Sequence, residues 1–156
     1  MGESMETTEA TICHILNGNR ILLKQATRGI SKGMWNGAGG KIEPGEAPEE
    51  SVAREVLEET GLKIKDVRKH GIIHFRYIDQ AEGPSKVHLF STRSFTGKIK
   101  STEEGEVRWF DIDKVPLDQM WDDDRYWLPL FLAGRDFDSE FYFDNKKVRK
   151  YSITFK

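Results

Sequence analysis

An α/β or α+β sandwich is the fold class this chain predicts, on three observations: a series of short β-like runs, two stretches with helical character, and connections of mixed kind between them. With 156 residues it is the size of one domain, 1–156, and long enough to enclose a core. No repeat and no low-complexity linker divides it.

Residues 1–9 are polar and read as a frayed, disordered end. The runs 11–16 and 20–24 are β-like and meet through Asn17-Gly18-Asn19, a hairpin signal. Residues 27–34, with Gly29 and Gly33, read as a loop leading to Trp35 and the stretch Gly37-Ala38-Gly39-Gly40. A helix is predicted over 48–60, because Pro48 suits a first turn and Gly61 suits a left-handed stop. Val52, Ala53, Val56 and Leu57 give it one arc to bury.

Further strands are predicted over 67–77 and 87–95, separated by a loop at 79–85, and a shorter one over 106–110. Residues 113–115 read as a brief turn or helix ended by Pro116. A second helix is predicted over 122–131 despite Pro129, and a closing hairpin over 137–143 and 148–155 around Asp144-Asn145.

Composition narrows the function. The formal charge is −2, so no chain-wide basic field exists to hold a nucleic acid polymer, and free nucleotides are the better fit. The basic run Lys146, Lys147, Arg149 and Lys150 is read as a solvated face of the last hairpin. Cys13, the only cysteine, sits among apolar residues and is expected to pack rather than react, which rules out a disulfide within the chain. The apolar run 127–133 is too short to span a bilayer, and no signal-peptide pattern opens the sequence. Glu6 stands where myristoylation needs Ser or Thr. A cytoplasmic protein with no membrane partner, monomeric or homodimeric, is the expectation.

The chemistry concentrates on the first helix. At roughly 100° per residue, Glu55, Glu58 and Glu59 project within about a 100° arc beside the apolar one. Like charges on neighbouring turns repel, which a bound cation would relieve, and a cation points to phosphate chemistry. Glu is also a strong helix former, so an ordinary solvated acidic face is the alternative. Gly39 and Gly40 weigh against it, since backbone without Cβ can approach a ligand closely.

Residues 40–62 match the pattern Gly-x5-Glu-x7-Arg-Glu-U-x-Glu-Glu-x-Gly-U, with U apolar, at every fixed position: Gly40, Glu46, Arg54, Glu55, Val56, Glu58, Glu59, Gly61 and Leu62. By this pattern the chain resembles the Nudix hydrolases, which cleave nucleoside diphosphates linked to a further group with a divalent cation. The resemblance implies a mixed sheet between helices and Mg²⁺, replaceable by Mn²⁺, held by Glu55, Glu58 and Glu59 together with the Gly39 carbonyl. It implies a supporting pair of Arg54 and Glu46 that fixes the direction of Glu55. It also implies a distant acidic residue, chosen among Glu103, Glu104 and Glu106, with spacing from Trp109-Phe110 favouring Glu104. The general base is Glu55 or this loop residue.

A second resemblance concerns the substrate. Residues 121–127, Trp-Asp-Asp-Asp-Arg-Tyr-Trp, with Trp35-Asn36 upstream, are similar to the MutT-like 8-oxo-dGTP diphosphatases, and the likeness to mammalian-type members extends over nearly the whole chain. It implies that Asn36, Asp123 and Asp124 meet the base edge, that Trp121 lies on its face, and that Thr11 faces the pocket. An amide offers donor and acceptor together, and two adjacent carboxylates can share a proton to do the same. An N-cap role for the aspartates and a core role for Trp121 are the structural alternatives. Ile30 departs from the aromatic residue of those relatives, losing a ring contact of ~0.5–1.5 kcal/mol. Trp109, Trp127, His74 and His88 are left as core or surface residues.

The function so implied is hydrolysis of oxidised purine nucleoside triphosphates to monophosphate and pyrophosphate, a sanitation of the nucleotide pool. The alternatives are another Nudix substrate, such as a pterin triphosphate, a sugar nucleotide or ADP-ribose, and a non-catalytic nucleotide sensor. The intact Glu55, Glu58 and Glu59 argue against the last.

Overall fold

The computed structural model describes residues 6–101 and 105–156. In chain order the elements are β1 (Thr8–Asn17), β2 (Arg20–Gln25), β3 (Trp35–Asn36), β4 (Ala38–Lys41), α1 (Pro48–Thr60), β5 (Lys63–Lys65), β6 (Arg68–Tyr77), β7 (Ser85–Thr92), β8 (Ser94–Thr96), β9 (Val107–Asp111), α2 (Asp124–Leu132), β10 (Phe137–Asp144) and β11 (Lys147–Phe155). Among the described residues, nine strands form one mixed sheet along the path β11-β10-β6-β7-β1-β2-β3, with β4 joined to β1 and β9 to β2. The pairs β1–β7 and β6–β10 are parallel, and the other ladders are antiparallel.

Side-chain alternation along β1 divides the core in two. Cys13 and Ile15 face α1, where they pack with Leu22, Val52, Val56 and Phe90. Ala10 and Ile12 face the other way, toward the cluster that holds Trp127, Leu128 and Phe131 of α2. The sheet therefore lies between two helices, as the sequence predicts, and the mixed connections follow from the two parallel pairs. Burial pushes the Cys13 thiol up to about 12, in keeping with its inert packing role.

α1 occupies the residues predicted for it. Pro48 opens it, the Glu50 carboxylate accepts the Ala47 N–H at 3.1 Å, and Gly61 closes it in the left-handed region at φ 84°. Several local expectations need correction. Thr8 and Glu9 belong to β1 rather than to a frayed end, because Thr8 pairs with Ser85 and its N–H reaches the Pro84 carbonyl at 2.9 Å. The run 87–95 is two strands, β7 and β8, divided at Arg93, where Thr92 Oγ1 takes the Ser94 N–H at 3.0 Å. Leu57 is 49% exposed, since it sits at the margin of the arc whose centre, Val52 and Val56, is fully buried. α2 runs through Pro129, its packed face of Trp127, Leu128 and Phe131 holding it in place.

His14 lies fully buried on the α2 side, with ring centroids 5.8 Å from Trp127 and 5.2 Å from Phe131. Neither ring nitrogen has a hydrogen-bond partner among the described residues, and burial, with a smaller effect from His70, pushes its pKa down to about 3. The unfolded chain binds a proton at this residue below about pH 6.5 while the folded chain does not, so folding loses stability as pH falls through that value. Thermal melting at about pH 7 and about pH 5 therefore shows a smaller loss for His14→Leu than for the wild-type chain. An equal loss in both would show that His14 is not the residue responsible.

Candidate active site

β4 brings Gly39 and Gly40 between β1 and α1. A Cβ on Gly39 would lie 1.9 Å from the Thr11 carbonyl oxygen, and one on Gly40 would lie 2.6 Å from the Glu55 carboxyl carbon. The first contact is with backbone and requires glycine at 39, whereas at 40 the neighbour is the end of the flexible Glu55 side chain, which would have to move aside. The Gly39 N–H then donates to Glu59 Oε1 at 2.8 Å, which fixes one end of a buried carboxylate against the strand.

Arg54 ties the approach loop to this helix. Its Nε and Nη2 donate to the two oxygens of Glu46 at 2.8 and 3.0 Å, and its Nη1 reaches Glu55 Oε1 at 2.9 Å and Glu58 Oε2 at 3.5 Å. The fork geometry suits a guanidinium, and the hydrogen bond from Arg54 pulls the Glu46 carboxyl down to about 2. Glu55 moves the other way: burial raises its carboxyl above the usual range, the Arg54 hydrogen bond opposes this, and the charges of Glu59 and Glu58 add to it. Glu59 is buried and ion-paired with Lys24 of β2, while the Glu58 side chain is 57% exposed.

α1 thus gathers Glu55, Glu58 and Glu59 along one side, with Arg54 and Lys24 standing on them. No cluster of three or more His, Cys, Asp or Glu set to hold a metal ion occurs among the described residues. The donors nevertheless suit a hard dication in kind: carboxylate oxygens on one helical face, a strand backbone brought alongside without Cβ, and a Glu55 carboxyl whose charged form gains from added positive charge. Glu104, favoured as a distant acidic residue, and Glu103 lie outside the described residues. Glu106 is exposed at the start of β9.

On the opposite face of the sheet is a cavity of about 330 Å³. Asn36, Ile30, Trp121, Asp123 and Asp124 all line it, so five of the six residues proposed from the sequence to contact substrate are brought together. Thr11 does not join them. It lies on the α1 side of β1, fully buried, with its hydroxyl 3.5 Å from the Gly40 carbonyl, and the β1 residues that do line the cavity are Thr8 and Ile12. Alternation along a strand puts adjacent residues on opposite faces, which is why Thr11 and Ile12 part company.

Asp123 and Asp124 are buried at 3% exposure each, with no lysine or arginine against them. Burial raises both carboxyls well above the usual range, and for Asp124 the neighbouring Asp123 adds to the effect. Asp123 Oδ2 accepts the Trp127 indole N–H at 2.7 Å, whereas Asp124 Oδ1 has no partner among the described residues. Burial thus favours the protonated form of both carboxyls, and both residues line the cavity. Trp121 is fixed over the same space by its N–H to Ser31 Oγ at 2.9 Å and by an edge-on contact with Phe143 at 5.5 Å.

Sequence reasoning missed several lining or supporting residues. Lys41 follows the two glycines and lines the cavity. Tyr77, whose hydroxyl burial pushes up to about 12, ends β6 at its rim. The spacing of Trp127 four residues after Asp123 on a helix is the one signal that could have paired them. Lys24 and Ser31 meet their partners across 35 and 90 residues, and no local pattern announces such contacts.

Comparison with known proteins identifies the family. The NUDIX domain model matches residues 5–131. The chain is 39% identical over 138 residues to the oxidized purine nucleoside triphosphate hydrolase of Danio rerio, covering 88% of each chain. It is 38% identical over 144 residues to the protein of that name from Mus musculus, covering 92% of each. Among solved structures, a MutT protein from Bacillus halodurans superposes with a TM-score of 0.81 at 26% identity, over 94% of this chain and 97% of that one. A domain match over most of the chain, two relatives above 30% identity along nearly their full length, and a shared fold place this chain in the Nudix hydrolase family.

Proposed function

We propose that this Nudix hydrolase acts on oxidised purine nucleoside triphosphates, splitting a phosphoanhydride to release a monophosphate and pyrophosphate, with Mg²⁺ as its cation and Mn²⁺ able to replace it. The observation that carries the reading is the buried Asp123–Asp124 pair, facing a cavity that also presents the Asn36 amide and the Trp121 ring. A purine base offers an apolar face and a polar edge that both donates and accepts. Trp121 supplies a surface for the face, while the proton-sharing carboxylates and the Asn36 amide answer the edge. The relatives from Danio rerio and Mus musculus carry a name with this substrate class.

In this reading Glu55, Glu58 and Glu59 would hold the cation, with the Gly39–Gly40 backbone beside them. When bound, it supplies positive charge against the phosphates and makes a water a stronger nucleophile. Arg54 keeps Glu55 aimed at the phosphate chain through the Glu46 anchor. Glu55, its carboxyl raised by burial, accepts the proton of the attacking water. Asp123, Asp124 and Trp121 set the position of the base and so the position of the phosphates relative to α1. Lys41 lies between the two halves and places a positive charge where the sugar gives way to phosphate.

A rate comparison of 8-oxo-dGTP, oxidised dATP, dGTP and ADP-ribose, with products identified, tests the substrate. Asp123→Asn is expected to lower kcat/KM for the oxidised purine triphosphates by about tenfold, the effect of one buried hydrogen bond, and to leave ADP-ribose unaffected. Unchanged rates across the panel would remove base recognition from Asp123. Because burial keeps the pair protonated above the normal carboxylate range, the apparent affinity for the oxidised purine weakens as pH rises and the proton is lost. Arg54→Ala should still fold while the metal-dependent rate drops by about 10–100-fold. Full activity in that variant would rule out its positioning role.

A further inference from the structure

We propose that Lys24 is a resident counter-cation of Glu59 that weakens the uptake of a free divalent cation, so that the cation enters with the anionic substrate. The proposal rests on the reading of Glu59 as one of the cation-holding carboxylates, and goes beyond it to a residue outside the glutamate-bearing motif. Lys24 belongs to β2, where it shares a face with Leu22, the side that packs against α1. Its ammonium pairs with Glu59 Oε2, and the side chains are 16% and 9% exposed. The other oxygen, Glu59 Oε1, is held by the Gly39 N–H. Lys24 therefore occupies the oxygen of Glu59 that the strand backbone leaves to other partners.

The electrostatic consequence follows from burial. A monovalent charge in contact with a carboxylate in a poorly hydrated site interacts far more strongly than at the surface. A dication approaching Glu59 must either displace the ammonium or bind beside it, and both weaken binding. Arg54 does the same at Glu55, but it is anchored bidentately to Glu46, whereas Lys24 is a compact charge on a flexible stem. A triphosphate carries enough negative charge to offset Lys24, so the dication binds best when it arrives with the nucleotide. Before that, Lys24 keeps Glu59 extended toward the strand, which makes it a positioning residue.

Mn²⁺ binding to the nucleotide-free protein, followed by calorimetry or by the electron paramagnetic resonance of free Mn²⁺, tests this without reference to turnover. Lys24→Met is expected to bind Mn²⁺ about tenfold more tightly than wild type while melting at a lower temperature without metal, because a buried carboxylate has lost the ammonium that faces it. A residue that merely supports the fold would lose stability and metal affinity together. Lys24→Arg should restore wild-type values for both. Should the apolar variant fail to fold, Lys24→Gln, which keeps a hydrogen-bond donor without the charge, gives the same tightening. Unchanged or weaker Mn²⁺ binding in the folded uncharged variant, alongside weakened binding in Glu59→Gln, overturns the role of Lys24 and leaves the cation site standing. Undiminished binding in Glu59→Gln removes Glu59 from the cation site and takes this proposal with it.

Discussion

The contact between β4 and α1 is the constraint on which the rest of the site depends. Two consecutive glycines let a strand backbone lie against the Thr11 carbonyl on one side, at a separation no side chain permits, and close beside the Glu55 carboxyl on the other. That closeness gives the Gly39 N–H its carboxylate and turns the acidic arc of α1 toward the strand rather than toward water. The Arg54–Glu46 fork then locks the intervening loop to the helix. Backbone proximity places the carboxylates and the guanidinium aims them.

The protein carries two sets of buried acidic groups and neutralises them by different means. On α1, Arg54 stands on Glu55 and Lys24 on Glu59, so protein cations oppose the charge of these carboxylates. In the cavity Asp123 and Asp124 have no ion-pair partner among the described residues, and burial favours their protonated form. The first set can attract a metal, and the second can form directional hydrogen bonds with a neutral base. In the proposed function the same residue chemistry serves catalysis in one place and recognition in another, and the surroundings decide which.

Much of this was legible in the chain. α1 could be read to the residue because Pro48, Gly61 and the spacing of Val52 and Val56 agree, and because like charges at Glu55, Glu58 and Glu59 need an external reason. The cavity set was legible through the cluster at 121–127. Thr11 was misplaced because a resemblance carries a residue type but not its face, although Cys13 and Ile15, buried against α1, fix the face of every odd residue in β1. The short strand β5 escaped because Ile64 is flanked by polar residues, leaving too little period to recognise, and its partner β8 was read as the end of one longer run. Lys24 and Ser31 escaped because their partners are distant in sequence and the contacts exist only once the sheet has formed.

The alternation that misplaced Thr11 also explains how recognition and chemistry are kept apart. The aspartate cavity opens on the α2 face of the sheet and the glutamates on the α1 face, with β1 between them. A nucleotide held by both sets, as proposed, would pass from one face to the other at one place in the sheet. The short strands β3 and β4 provide that place: Asn36 at one end belongs to the cavity, Gly39 and Gly40 in the middle touch the carboxylates, and Lys41 at the other end lines the cavity again while its carbonyl accepts from Arg54. Glycine at position 39 keeps that strand close against β1, since a Cβ there would lie 1.9 Å from the Thr11 carbonyl oxygen. Substitutions that alter the cavity can then change which base is accepted without moving α1, because the two sets of residues share only this narrow strand.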